Sequence, residues 1–289
     1  MVLKIFLVLI LILIMIIIFY LFNLKKDSFD AESAIPKIIY TYWNSDIYPK
    51  SIEYCINSIK KANPTWELHI MNSNDIPEEA KHLNYVQQSD YIRLSKLSKT
   101  GGVWLDASIV CINGIENWID INSNSIQGFR VPMNNSYTME SWAFAVPKNS
   151  KFCKLWFREF KKAVISGFDV YCNSITTDNI STDDGLRNFL PYLTIHAAWR
   201  VAYYKLPKSN IILSESCDGP FKYLCMHHGS ENSAQETIKT LLQIPMDELE
   251  KPLPVIIKLR GAERAYLDPM LDNKSYDQKS LLAKVWKLT

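Results

Sequence analysis

No cluster of lysine and arginine interleaved with aromatics occurs anywhere in the 289 residues, and 32 basic against 30 acidic side chains leave a net charge of only +2. Such a balance lacks the electrostatic footprint of a nucleic-acid binder. No internal repeat is present, nor any low-complexity tract beyond the N-terminal run, which excludes a solenoid or an array. The six cysteines (Cys55, Cys111, Cys153, Cys172, Cys217, Cys225) show no Cys-x-x-Cys spacing. That removes the usual metal and redox motifs, and Cys111, in an apolar segment, reads as a reduced buried thiol. The cysteine set therefore points towards a reducing compartment. What remains, 48% hydrophobic and 12% aromatic residues, suffices for one α/β domain with a buried core.

Charge is also missing from Ile5 to Phe22, an apolar run of 18 residues. A hydrocarbon core needs about 20 residues in a helix. A cleavable signal peptide is the competing reading, but its apolar region usually has roughly 7 to 15 residues, and no Ala-x-Ala-like site follows promptly. Residues 1–24 are accordingly read as a membrane anchor and 25–34 as a polar linker. Residues 35–289 are read as the globular domain. Lys4 before the span and Lys25 and Lys26 after it nearly balance, so the positive-inside rule does not choose a side. The globular domain is placed on the cytoplasmic face, with a Golgi-type lumenal orientation as the alternative.

Within the domain, Lys37 to Trp43 is β-rich and should form the first central strand, with Pro36 restricted to preceding it. Ser51 to Ala62 places Ile52, Cys55, Ile56 and Ile59 at helical spacing, and Asn63-Pro64 ends the pattern. Glu67 to Met71 is the next strand. Ser125 to Val131 and Ser141 to Val146 follow as strands, then a Pro147-Lys148-Asn149 turn into a helix whose Phe152, Leu155, Trp156 and Phe160 are expected in the core. This alternation predicts a mostly parallel sheet with helices on both faces.

The most informative segment runs from Thr100 to Val110. An apolar stretch leaves Gly101-Gly102 and carries one carboxylate, Asp106, among Val103, Trp104, Leu105, Ile109 and Val110. A carboxylate there must sit at a strand end, where clefts open in α/β sheets, or be buried with a partner. The plain alternative is an aspartate capping a turn. Just before it, Ser89 to Lys99 reads as a helix capped by Ser89 or Asp90, with Asp90 and Arg93 on one face. Those two make either a surface ion pair of small value or one wall of a pocket for an anionic ligand.

With Ile35-Pro36-Lys37-Ile38-Ile39-Tyr40-Thr41-Tyr42-Trp43, Asp90 to Arg93 and Gly101-Gly102-Val103-Trp104-Leu105-Asp106-Ala107-Ser108 in this order and spacing, the chain resembles the capsular polysaccharide synthesis protein family. That family is related to glycosyltransferase family 32, which carries a DxD motif. The likeness extends over residues 35 to 112 and more loosely beyond. It implies a GT-A-like α/β fold and a retaining transfer of a hexose from a nucleotide-sugar to a surface glycan or lipid-linked oligosaccharide. A divalent cation, Mn²⁺ or Mg²⁺, would bridge the diphosphate. Tyr42, Trp43, Asp90, Arg93, Gly101, Gly102, Asp106 and Ser108 would hold the donor, with Arg93 supplying charge stabilisation. His196 lies in a segment where family members carry functional groups, and it joins Glu140 and Trp142 as acceptor candidates: a carboxylate and an indole at a strand start suit a sugar, with a solvated turn acid beside a core Trp as the plain alternative.

Asp106, Arg93 and Asp184 are the catalytic candidates, Asp184 from the Asp183-Asp184-Gly185 pair that equally suits a helix cap. The resemblance places a metal on Asp106 with His227 or His228 from the Met226-His227-His228-Gly229-Ser230 loop. Surface loop histidines are the plain reading of that pair. Lys258 and Arg260, after the apolar run Val255 to Ile257, are cations suited to a diphosphate, although basic residues at a strand exit are commonplace. One departure matters. Ser108 stands where the second Asp of DxD belongs, which leaves metal dependence open. Two other readings remain: a membrane-tethered glycan-binding protein or inactive homologue, and a sugar-phosphate transferase.

Overall fold

The computed structural model describes residues 34–132, 138–175, 186–207 and 209–289. The anchor and all of the linker except Ala34 lie outside them, as do Asp183, Asp184 and Gly185. Among the described residues, no helix is long and apolar enough to cross a membrane.

Strand β1 (Ile38–Tyr42) is followed by helix α1 (Lys50–Ala62), β2 (Glu67–Met71), helix α2 (Tyr85–Thr100), β3 (Gly102–Leu105) and β4 (Ile109–Cys111). Then come β5 (Ile126–Arg130), β6 (Met139–Val146), and helices α3 (Lys151–Ser166), α4 (Phe168–Ile175) and α5 (Thr194–Lys205). The chain closes with β7 (Ile211–Glu215), α6 (Lys222–Met226), α7 (Ser233–Gln243), β8 (Ile256–Lys258), α8 (Gly261–Asp272) and α9 (Leu281–Trp286).

Six strands form one sheet in the order β2-β1-β3-β6-β5-β7. Only β6 runs against the others, pairing antiparallel with both β3 and β5. The expected mostly parallel sheet is therefore present. Its two faces follow from period-two alternation along the strands. Tyr40, Trp104 and Phe144 pack on one side with Trp156 and Trp199. Ile39, Val103, Leu105, Ala143 and Ala145 pack on the other with Ile59 of α1. Phe152, Trp156 and Phe160 of α3 are fully enclosed, in the core as their spacing predicted.

Helix α1 buries Ile52, Cys55, Ile56 and Ile59, the predicted face. Helix α2 begins earlier than its sequence suggested. Asn84 accepts hydrogen bonds from the N–H groups of Val86 and Gln87, and the Gln87 side chain returns to the Asn84 N–H, a reciprocal capping box. Ser89 and Asp90 are therefore inside the helix, not at its cap. Helix α2 ends at Gly101, whose φ of 70° a side chain rarely adopts. At Gly102, φ is 105° and a Cβ would lie 2.7 Å from the Ile38 carbonyl oxygen. These glycines bring α2 and β3 together against β1.

The apolar stretch after them is not one strand. It breaks at Asp106, and β4 leaves the main sheet to pair antiparallel with β8, Ile109 opposite Lys258. Cys55, Cys111, Cys153 and Cys172 are free and buried. Cys217 and Cys225, however, are joined in a disulfide, their Cα atoms 5.6 Å apart. Cys111 is thus the reduced buried thiol expected, whereas the Cys217–Cys225 bond runs against the reducing compartment that the cysteine set pointed to. A separation of eight residues matches no recognised motif, so only the loop's closure reveals the pair.

Candidate active site

Asp106 is the residue immediately beyond β3, at the carboxyl edge of the sheet. Because β6 runs antiparallel to β3, its first residues reach the same edge. The Asp106 N–H donates to the Trp142 carbonyl oxygen at 2.8 Å, and Glu140, Ser141 and Trp142 line the same cleft as Asp106. Helix α2 supplies Asp90 and Arg93, and β8 supplies Lys258. The cleft measures about 1410 Å³.

Asp106 is saturated by donors. Its Oδ1 accepts from Arg93 Nη2 at 2.9 Å and from the Trp104 indole Nε1–H at 2.8 Å. Its Oδ2 accepts from Lys258 Nζ at 2.6 Å. Burial works to raise the Asp106 carboxyl, but the Lys258 and Arg93 charges and the hydrogen bonds from Lys258 and Trp104 outweigh it and hold the group below its ordinary value. Lys258 Nζ also reaches Ser108 Oγ at 2.9 Å.

Arg93 is the hinge of a second pair. Its Nη1 lies 3.0 Å from Asp90 Oδ1, its Nη2 donates to Ser89 Oγ at 3.2 Å, and its guanidinium sits 4.9 Å from the Trp104 ring centroid. The pair is buried, not on the surface, with side-chain exposures of 5% for Arg93 and 10% for Asp90. Burial pushes the Asp90 carboxyl up to about 6, against the opposing charges of Arg93 and His196. His196 Nε2 stands 3.7 Å from Glu140 Oε2, both in the cleft wall.

Of the donor candidates, Tyr42, Trp43, Asp90, Arg93, Asp106 and Ser108 line the cleft. The Tyr42 hydroxyl donates to Gln88 Oε1 at 2.9 Å, and the Arg264 guanidinium lies 5.4 Å from the Trp43 ring. Gly101 and Gly102 do not line it; they are packed against Val146, Lys148 and Ile38. All three acceptor candidates, Glu140, Trp142 and His196, are in the wall, with Trp142 stacked on Phe129 at 5.4 Å between centroids. Asp184 falls outside the described residues.

The expected metal set does not assemble. His228 lines the cleft, but His227 does not, and its Nε2 lies 3.0 Å from Thr240 Oγ1. Among the described residues, no three His, Cys, Asp or Glu side chains come together as ligands. The chemistry of Asp106 decides the fit. Both oxygens are already engaged by cationic donors, and a dication placed on them would face the Lys258 and Arg93 charges directly. The described residues do not fit a divalent metal.

Trp104, Tyr192 and Arg264 are side chains that sequence reasoning did not place at the site. Lys258 was foreseen with Arg260 as a cation for the diphosphate, but nothing local ties it to Asp106. The loop closed by the Cys217–Cys225 bond also lines the cleft, through Phe221 and Leu224.

Residues 19–162, nearly half the chain, match the family model described as "Capsular polysaccharide synthesis protein". Over that segment the chain is similar to the capsular polysaccharide synthesis protein family. The match covers β1 to most of α3, and so includes Asp90, Arg93, Asp106, Ser108, Glu140 and Trp142, but stops well short of Lys258.

No curated protein gives a significant match. Among solved structures, the PaToxG glycosyltransferase is similar at 18% identity, over 64% of this chain and 85% of that one, with a TM-score of 0.35. A glycosyltransferase involved in glycosylation of the major capsid of PBCV-1 aligns at 14% identity over 81% of this chain and all of that one, TM-score 0.41. Galactosyltransferase LgtC, in complex with donor and acceptor sugar analogues, aligns at 12% identity over 80% and 95%, TM-score 0.39.

Proposed function

We propose that this protein is a GT-A-type hexosyltransferase that moves a hexose from a nucleotide-sugar to a growing surface glycan with retention of configuration, tethered to a membrane by residues 5–22. The observation that carries the reading is Asp106, poised at the edge of β3 between Arg93 and Lys258. A carboxylate neutralised by two fixed cations in a cleft is suited to a diphosphate, because the cations meet its charge while the carboxylate holds them in register.

The dimensions agree. Pockets for one small molecule run to roughly 300–1,000 Å³, and this cleft, at about 1410 Å³, has room for a donor and an acceptor sugar together. Three buried nitrogens of wall residues, Trp142 Nε1, His196 Nδ1 and Arg264 Nε, have no hydrogen-bond partner among the described residues. Buried polar atoms are normally satisfied, so these leave unused hydrogen-bonding capacity in the residues of the cleft wall. In this reading Tyr42 and Trp43 stack on the base, Asp90 and Arg93 bound the ribose and diphosphate, and Glu140, Trp142 and His196 hold the acceptor, all of them residues of the cleft wall.

In the reaction, the bond from the anomeric carbon to the diphosphate oxygen breaks with its electron pair on that oxygen. The acceptor hydroxyl oxygen bonds to the same carbon, and its proton passes to the departing diphosphate. Incubation with a panel of nucleotide-sugars should give slow donor hydrolysis that Asp106→Asn abolishes. Unchanged turnover in that variant removes Asp106 from the site. Glycan binding without nucleotide affinity favours a lectin-like protein, and release of a nucleoside monophosphate favours sugar-phosphate transfer.

A further inference from the structure

We propose that Lys258 is the built-in cation of this site, taking the place that a divalent metal holds in a DxD site and making diphosphate release metal-independent. The inference rests on the glycosyltransferase reading and deepens it.

Three observations converge. First, Lys258 Nζ bridges Asp106 Oδ2 at 2.6 Å and Ser108 Oγ at 2.9 Å, so one ammonium spans the first and third positions of the Asp-Ala-Ser triplet. Second, the charges match: two carboxylates balance a dication, whereas here one carboxylate and the neutral Ser108 hold the monocation Lys258, the Arg93 charge being shared with Asp90. Third, the position is built, not incidental. Lys258 has a side-chain exposure of 10%, and β4–β8 pairing fixes it opposite Ile109, with the Leu259 N–H bonded to the Ser108 carbonyl at 3.1 Å.

An ammonium carries three N–H donors. Two are used by Asp106 and Ser108, which leaves one for a phosphate oxygen in the cleft. Arg260 is a poorer candidate for this duty, since Glu263, itself buried, holds its guanidinium at 2.6 Å. Arg264, whose guanidinium lies 5.4 Å from the Trp43 ring centroid, is a further cation of the wall. When the anomeric C–O bond breaks, the electron pair left on the diphosphate oxygen is stabilised by Lys258 and Arg93, and the acceptor proton completes the charge balance on the leaving group. Asp106 acts through Lys258 as its positioning residue.

The test uses the full chain, with UDP, GDP, ADP and CMP as probes in calorimetry and the corresponding nucleotide-sugars in turnover assays, each in EDTA and in Mn²⁺. One nucleotide is expected to bind with less than about a twofold change between the two conditions, and its sugar donor to be hydrolysed equally in both. Lys258→Met should weaken binding of that nucleotide at least tenfold, with Mn²⁺ giving no rescue. Loss of wild-type turnover in EDTA with recovery in Mn²⁺ overturns this inference and leaves the glycosyltransferase reading standing. Undiminished binding to Lys258→Met overturns it as well. Absence of binding to every probe in both conditions overturns both readings, and the wild-type comparison decides the matter even if the variant does not fold.

Discussion

The Lys258 ammonium lies 2.6 Å from Asp106 although 152 residues separate the two along the chain. The contact exists because the apolar stretch after Gly102 splits at Asp106, sending β4 to pair with β8 and carrying Lys258 to the edge of the main sheet. Each partner answers a problem set by the other. Asp106 is a carboxylate among apolar neighbours, and Lys258 is a cation at the end of a buried strand.

Breaking that arrangement from one side should be costly. Asp106→Asn leaves Arg93 and Lys258 facing each other without their shared carboxylate, and losing one member of a buried pair typically costs about 3–5 kcal/mol. The expectation is a destabilised but folded protein at neutral pH by denaturant titration, with donor turnover down at least about a hundredfold. The pH sign is set by the lowered carboxyl. Asp106 contributes stability above the ordinary aspartate range, near 4, and that contribution is lost as pH falls through its depressed native value. The deficit of the variant should therefore shrink in strong acid.

Asp90 titrates in the opposite sense. Its native value of about 6 lies above the unfolded one, so its contribution is complete below about 4 and is lost as pH rises through 6. Asp90→Asn mimics the protonated form. The melting temperature of the variant minus that of the wild type should rise between pH 4.5 and pH 7.5, and a flat difference across that range would remove Asp90 as a buried titrating group.

Gly102→Ala tests whether the Gly-Gly pair serves the fold or the donor. The added Cβ meets the Ile38 carbonyl at 2.7 Å on a backbone with φ of 105°. Such strain costs on the order of 1–3 kcal/mol, and a melting-temperature drop of several degrees is expected. Nucleotide affinity at a temperature where the variant is folded should stay within about threefold of wild type. A large loss of affinity with unchanged melting would instead assign the glycine to the ligand.

The Cys217–Cys225 bond closes a short loop that carries Phe221 and Leu224 into the cleft. For a loop of this length the chain-entropy account gives about 2–3 kcal/mol. Alkylation without reductant followed by intact mass should leave these two cysteines unmodified. Replacing both with serine should lower the melting temperature and raise the KM for donor or acceptor more than it lowers kcat. Alkylation of both in the untreated protein counts against the bond.

Much of the local structure was legible in the residues. The 3.6 spacing of Ile52, Cys55, Ile56 and Ile59 identified α1, and the β-rich run before Trp43 identified β1. Asp106 announced itself because an acid amid apolar side chains needs a strand end or a partner, and here it has both. The start of α2 was misplaced because Ser89 and Asp90 are ordinary caps, and only the reciprocal bonds of Asn84 and Gln87 reveal the true one. The metal set drawn from Asp106, His227 and His228 was not assembled, since a histidine pair in a loop says nothing of which ring faces inward. The disulfide left no trace in the cysteine spacing.

By itself the sequence determined which segments have a face to bury and which single carboxylate stands where burial is expensive, since periodicity and desolvation are properties of neighbours along the chain. The tertiary structure alone decided what balances that carboxylate. Charge pairing acts over a few ångströms of space, and the partner of Asp106 is brought there by strand pairing across half the chain.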